Sequence, residues 1–342
     1  MRVLLDLVHP ADVRFFREPV RRLQAQGAEI LCLARDKDVT CDLLEAFAMP
    51  FQTASRQGRG LLGLAAELVQ RDRAVLQAMG RFRPDVAAGF GGVAIAHAGR
   101  LTGVRTVAFY DTEAGRLQMA LTLPFIDEWH VPAAWRGPAP AGRTYRFDSF
   151  KELSDLHPAR FKPSAERARA LGLDDARANV FVRLSARAAA HDRGAEGLNL
   201  DALAAGVETV FGRVRLHLSC EGAPPEGYER WVYTGPPDQV HHLIAACDLV
   251  CTDGASMAAE AAVLGAPAIV TYARPPGYVL ALERYGLIFT AAGRGPFEPV
   301  LARARLDPVT RARRRDRLLA DNADMADYVV DRLVQAAGAP GR

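Results

Sequence analysis

Short apolar runs alternate with stretches of helical spacing along nearly the whole chain. Residues 2–8 read as a strand and 13–26 as an amphipathic helix stopped at Gly27. A strand at 28–34 and a helix at 39–48 follow, then apolar positions at helical spacing over 61–81. A short strand at 85–88, a helix at 93–101 and a strand at 104–110 complete the first series. Pro/Gly punctuation at 137–142 and a polar, irregular stretch at 148–176 interrupt the pattern. It then restarts, with strands predicted at 179–184, 214–219, 248–252 and 267–272. Helices are predicted at 200–210, 240–246 and 255–264, followed by two or three terminal helices. Such β–α–β–α order predicts parallel sheets covered by helices on both faces. In sheets of this kind ligands sit beyond the carboxyl ends of the strands, so chemistry is sought just after each strand.

Length and composition narrow the field. The 342 residues suit two domains, and 49% apolar with 24% charged residues is the balance of a globular protein. A net charge of +3 does not point to nucleic acid as a partner. Only Lys37, Lys151 and Lys162 among the 43 basic residues are lysines, which is either a compositional bias or a sign of Arg-mediated phosphate recognition. The five cysteines form no C-x-x-C pair, the chain opens directly on a strand pattern, and no window reaches 18 uninterrupted apolar residues. A cytoplasmic location with free thiols is the expectation.

The stretch 239–270 carries the most chemistry. A buried strand ends at Thr252, and Asp253, Gly254, Ala255 and Ser256 lead into a helix. Gly254 permits close approach of a ligand, and the helix N-terminus offers N–H groups to an anion. Glu260, about one turn further on, could accept hydrogen bonds from ribose hydroxyls. Equally, Asp253 or Ser256 could be an ordinary N-cap and Glu260 a solvated side chain. Arg183, Ser185 and Arg187 follow the first strand of the second series, where an arginine could meet phosphate bidentately, with His191 slightly later. In the first series, His9 follows the first strand in Val8-His9-Pro10-Ala11-Asp12 and could take a proton near neutral pH if a carboxylate orients it. Asp111 lies after a later strand of the same series. Asp6, within the strand, is expected to satisfy backbone groups or to orient His9 or Arg14. Lys151, Glu152 and His157 read as an exposed linker. The arginines at 303, 305, 311, 313, 314, 315 and 317 read as a solvated terminal helix, with a weak peripheral attraction to anionic membrane as the alternative. No H-E-x-x-H, Cys/His cluster, G-x-S-x-G or Walker lysine is present, so no metal or cofactor is expected.

Strand, Asp253-Gly254-Ala255-Ser256, helix with Glu260-Ala261, then Leu264-Gly265-Ala266-Pro267 resembles the nucleotide-binding pattern of GT-B glycosyltransferases and of UDP-N-acetylglucosamine 2-epimerases. More of the chain is similar to the family catalogued as domain of unknown function 354. The matching stretches are 5–16, 34–36, 81–89, 121–127, 150–158, 182–192 and 253–269. The resemblance implies a GT-B fold: two Rossmann-like, doubly wound domains facing an interdomain cleft. An acceptor domain would span 1–158 and a donor domain 159–342, the terminal helices staying with the second domain or returning to the first. It implies a glycosyltransferase that takes a nucleotide sugar (UDP- or dTDP-linked) and a small-molecule or lipid-linked acceptor. Residues Gly254 to Met257 would then meet the diphosphate, Glu260 the ribose, and the turn at Pro236 the base. His9 would be the base and Asp111 its orienting partner. Glu113, in Glu113-Ala114-Gly115, matches an epimerase motif and is the competing catalytic candidate. The companion His-Gly-Asp-Thr run of those enzymes is absent, its place taken by Ala88-Gly89-Phe90-Gly91-Gly92. A nucleotide-sugar epimerase or hydrolase, or a non-catalytic nucleotide-sugar-binding protein, are the alternatives.

Overall fold

The structure, a computed structural model, describes residues 1–58, 60–185, 198–271 and 275–339. The chain divides into two compact units, one formed by Met1–Asp155 with Ala323–Arg342 and the other by Leu156–Asn322.

In the first unit β1 (Arg2–Leu7), α1 (Pro10–Ala25), β2 (Glu29–Asp36), α2 (Thr40–Ala46), β3 (Phe51–Arg56) and α3 (Gly60–Phe82) follow one another. Then come β4 (Val86–Phe90), α4 (Val93–Thr102), β5 (Arg105–Phe109), α5 (Arg116–Thr122), β6 (Glu128–Pro132) and β7 (Thr144–Phe147). The seven strands are all parallel, in the order β3-β2-β1-β4-β5-β6-β7. Val3, Leu4, Leu5 and Leu7 of β1 are fully buried, as a central parallel strand covered on both faces requires. The order reverses between β1 and β4, which makes the loops after these two strands the switch point of the sheet.

The second unit holds α6 (Ala165–Ala170), β8 (Ala178–Leu184), α7 (Leu200–Phe211), β9 (Val214–Cys220), α8 (Val240–Ala246) and β10 (Leu249–Thr252). It continues with α9 (Ala255–Leu264), β11 (Ala268–Val270), α10 (Gly277–Glu283), β12 (Ile288–Thr290), α11 (Glu298–Ala304) and α12 (Pro308–Asp321). Its parallel sheet runs β12-β11-β10-β8-β9, so the switch point lies after β8 and β10.

The last helix, Met325–Gly338, belongs to the first unit. Met325, Ala326, Val329 and Leu333 are fully buried there. Arg22 of α1 pairs with Asp327 and lies 3.5 Å from Asp324, and the Tyr328 hydroxyl meets Nδ1 of buried His130 at 2.8 Å.

Periodicity missed β3, β6, β7 and β12. Strand β3 is polar (Phe51-Gln52-Thr53-Ala54-Ser55-Arg56) because it forms the sheet edge, and β6 buries Glu128 and His130 among its apolar residues. Helix α1 begins at Pro10 rather than 13, because Pro10 at the first helical position and the His9 cap start it one turn earlier. The strand expected at 267–272 is only three residues long, and Tyr272 lies outside the described residues.

Candidate functional site

At the switch point of the first sheet, His9 is the N-cap of α1. Its Nδ1 accepts from the Ala11 amide at 3.2 Å, while the Asp12 carboxylate accepts from the amides of Val8 and His9 at 2.9 and 3.0 Å. This reciprocal cap fixes the loop. It also sets the tautomer: with Nδ1 accepting, the neutral imidazole carries its proton on Nε2 and presents a donor there. Asp12 is buried, and that burial pushes its carboxyl up to about 7, against the opposing pull of the two amides and of Lys151.

Asp111, expected to orient His9, instead lies 2.8 Å from Nζ of Lys151. Both side chains are nearly buried, and the ammonium stands 5.1 Å from the centre of the Phe90 ring. Lys151 is thus not an exposed linker residue: the 3-10 turn Lys151–Ser154 carries it into this sheet edge, with Glu152 buried beside it. Glu113 accepts from the Arg136 amide at 3.1 Å. Asp6 reaches neither His9 nor Arg14. It is buried on Arg71, whose Nη1 donates to Ser55 at 3.0 Å, and Ser55 in turn donates to Glu67 at 3.3 Å. That network lies behind the site and, through Glu67, accepts the Gly58 amide at 2.9 Å.

The turn Gly89–Gly92 has little room for side chains. Gly91 and Gly92 have φ of 84° and 64°, and a Cβ on Gly91 would fall 1.8 Å from the Gln118 amide. Gly92 is the N-cap of α4, so no side chain caps that helix start.

At the switch point of the second sheet, Asp253 follows β10 but does not cap α9. Its two carboxylate oxygens accept from the Ser185 amide at 2.8 Å and the Ser185 hydroxyl at 2.7 Å, tying the loop after β8 to the loop after β10. The N-cap is Gly254, which has no side chain to cap with, and its own amide donates to Thr252 Oγ1 at 2.9 Å. Among the described residues, a Cβ on Gly254 would meet only Thr252 Oγ1, at 3.5 Å. Ala255, Ser256 and Met257 are half-buried around it. A helix start of this kind directs backbone N–H groups and the positive end of the dipole at whatever acceptor lies there.

Glu260, one turn on, meets Nε2 of His241 at 3.0 Å, and His241 on α8 is fully buried. Arg183 donates to Ser219 at 2.7 Å and to Glu221 at 3.0 Å, so one carboxylate already holds its guanidinium. The Pro236 carbonyl accepts from the Tyr233 hydroxyl at 2.9 Å and the Gln239 amide at 3.1 Å, which makes residues 234–237 a bonded turn. Arg187 and His191 lie outside the described residues. Sequence reasoning missed three participants: Asp12, Lys151 as a buried cation, and His241. Lys151 left a trace as one of three lysines in an arginine-rich chain, and His241 as part of the His241-His242 pair. Among the described residues no three His, Cys, Asp or Glu side chains converge as a metal site would. Among the described residues no helix is long and apolar enough to cross a membrane.

Residues 1–137 match the model of the family described as Protein of unknown function (DUF354). No curated protein matches the chain. Among solved structures it is similar to UDP-GlcNAc 2-epimerase from Neisseria meningitidis bound to UDP-GlcNAc, with TM-score 0.69, 11% identity and coverage of 98% of this chain and 100% of that one. It is similar to the spinosyn forosaminyltransferase SpnP, with TM-score 0.67, 14% identity and coverage of 99% and 100%. It is also similar to MurG from Acinetobacter baumannii, with TM-score 0.57, 15% identity and coverage of 98% and 100%. At such identities the likeness is one of fold. The family resemblance read from the sequence therefore holds over residues 1–137, on a GT-B fold that runs through nearly the whole chain.

Proposed function

We propose that the chain is a glycosyltransferase that uses a nucleotide sugar. The observation that carries this reading is the start of α9. Asp253, which precedes the helix, is turned onto Ser185, leaving a glycine-led N-terminus with no side-chain cap among the described residues. A donor diphosphate would sit there, its charge met by backbone N–H groups and the helix dipole without a metal. Glu260, steadied by His241, would accept from the ribose hydroxyls. The acceptor would bind at the edge of the first sheet that carries His9, Lys151 and the Gly89–Gly92 turn. In the transfer, the acceptor oxygen bonds to the anomeric carbon as the bond from that carbon to the diphosphate breaks. The nucleoside diphosphate departs, and the hydroxyl proton passes to a base. His9 serves as that base only with its proton on Nδ1, so the Ala11 hydrogen bond must open in the reacting complex.

The test is incubation of the purified chain with UDP- and dTDP-sugars, with and without acceptor extracts, following free nucleotide and sugar configuration. Acceptor-dependent nucleotide release is the expected result. A changed sugar without acceptor would assign an epimerase, and binding without turnover a non-catalytic receptor. No binding of any nucleotide sugar removes the donor-site argument. Glu260→Ala is expected to weaken nucleotide binding by about 1–3 kcal/mol in calorimetry.

A further inference from the structure

The α12 arginines expected to be solvated divide into two sets. Arg311 and Arg315 turn inward: Arg311 Nε donates to the Gly265 carbonyl at 3.0 Å and Arg315 Nε to the Val263 carbonyl at 3.2 Å. They close the carboxyl end of α9 and fasten α12 to it, which corrects the expectation of a uniformly solvated helix. The other set faces outward. Arg313, Arg314 and Arg317 of α12, with Arg284, Tyr285 and Gly286, line an open pocket of about 380 Å³.

Four guanidinium groups and no carboxylate line that pocket. Arg284 and Arg313 have no acidic partner among the described residues, and Arg317 stands 3.7 Å from Asp321, both well exposed. Glu283, next to Arg284, is turned away onto the amide and hydroxyl of Thr290 at 3.2 and 3.0 Å, and Asp316, next to Arg317, is exposed and does not line the pocket. The pocket also has a fixed floor. Arg314 donates to the Gly286 carbonyl at 2.6 Å, and Gly286 (φ 72°) lets it lie there, since a Cβ would come within 2.9 Å of the guanidinium. Arg317 stands 5.9 Å from the centre of the Tyr285 ring, whose hydroxyl accepts from Asn322 at 3.1 Å. Gathering like charges this closely is unfavourable unless an anion joins them.

The pocket is remote from the α9 turn. Gly286 precedes β12 at the amino edge of the parallel sheet, whereas Gly254 follows β10 at its carboxyl edge. The ten-residue helix α9, about 15 Å long, separates its own start from the end that Arg311 and Arg315 close.

We propose that this pocket is a second anion site, which takes a phosphate-bearing group of at least two negative charges. A carboxylate has two oxygens and is saturated by one or two guanidinium forks, whereas a diphosphate or a phosphorylated headgroup offers enough oxygens for four. The site is independent of the glycosyltransferase reading and holds whether or not that reading does.

The experiment compares the full chain with an Arg313→Gln/Arg317→Gln variant, both exposed positions, with folding checked by circular dichroism. Binding of inorganic pyrophosphate is measured by calorimetry on both proteins, and any binding that the variant retains is assigned to the α9 turn. Co-sedimentation is measured with phosphatidic acid/phosphatidylcholine vesicles, whose phosphomonoester headgroup can lose two protons. At least about tenfold weaker pyrophosphate binding in the variant supports a soluble phosphate ligand. Vesicle binding that is lost in the variant, without pyrophosphate binding by the parent, supports a lipid headgroup as its source. Equal affinity of parent and variant for both probes, or no binding of either probe by the parent, overturns the proposal. Should the double variant misfold, Arg284→Gln is read against the same outcomes.

Discussion

His9 caps α1, and its proposed role as base sets a second task against the first. As a cap it needs a lone pair on Nδ1; as a base it needs one on Nε2. Asn at this position can still cap but cannot take a proton. His9→Asn is therefore expected to keep the melting temperature near that of the parent while abolishing turnover. His9→Ala is expected to lose turnover and also about 1 kcal/mol of stability, measured by urea unfolding. Turnover retained by His9→Asn removes the proposed base. Asp12 gives a pH signature of its own. Its folded value, about 7, lies above the ordinary 3.8, so the folded state keeps a proton that the unfolded chain releases. The stability this brings is complete below pH 3.8 and is lost as pH rises through about 7. Asp12→Asn is expected to flatten that part of the stability–pH curve, and an unchanged slope between pH 4 and 7 would show that Asp12 does not titrate there.

Helices α3, α4 and α5 are held together by His97, whose ring nitrogens meet Asp72 at 2.8 Å and the Leu121 carbonyl at 3.1 Å. The Asp72 hydrogen bond raises its pKa above the usual 6.5. The stability it contributes is full below pH 6.5 and falls away as pH climbs through the raised value. His97→Gln is expected to remove that decline above pH 6.5 in thermal melts, while leaving the Asp12 contribution intact. Elements of this kind show where sequence reading succeeds and where it stops. The apolar runs of β1, β4, β8 and β10 were legible because a parallel strand buried on both faces has no polar side to confuse the pattern. The turn after β10 was legible because Asp-Gly-Ala-Ser between a strand and a helix is local chemistry. Asp6 with Arg71, 65 residues apart, Asp111 with Lys151 and His241 with Glu260 were not legible. Each joins side chains from different elements, and only the order of strands in the sheet decides which loops meet.

At the scale of the molecule, the two units differ in continuity. Leu156–Asn322 is one unbroken segment with its own sheet and core, and it is expected to fold alone, giving a single cooperative transition in urea. The first unit closes over its core only with Met325, Val329 and Leu333 from the end of the chain. A chain ending at Asp155 is therefore expected to show weak protection in hydrogen exchange, and mixing it with a peptide spanning 323–339 should restore protection. Protection in the truncated chain equal to that of the intact protein would show that the last helix is dispensable.

That last helix has a consequence during synthesis. A nascent chain cannot complete the first unit until residues 325–338 have left the ribosome, whereas the second unit, made in between, can finish sooner. Throughout that delay the α1 surface that packs on this helix stands uncovered. A chain stopped at residues 323–325 therefore keeps the second unit whole and damages the first.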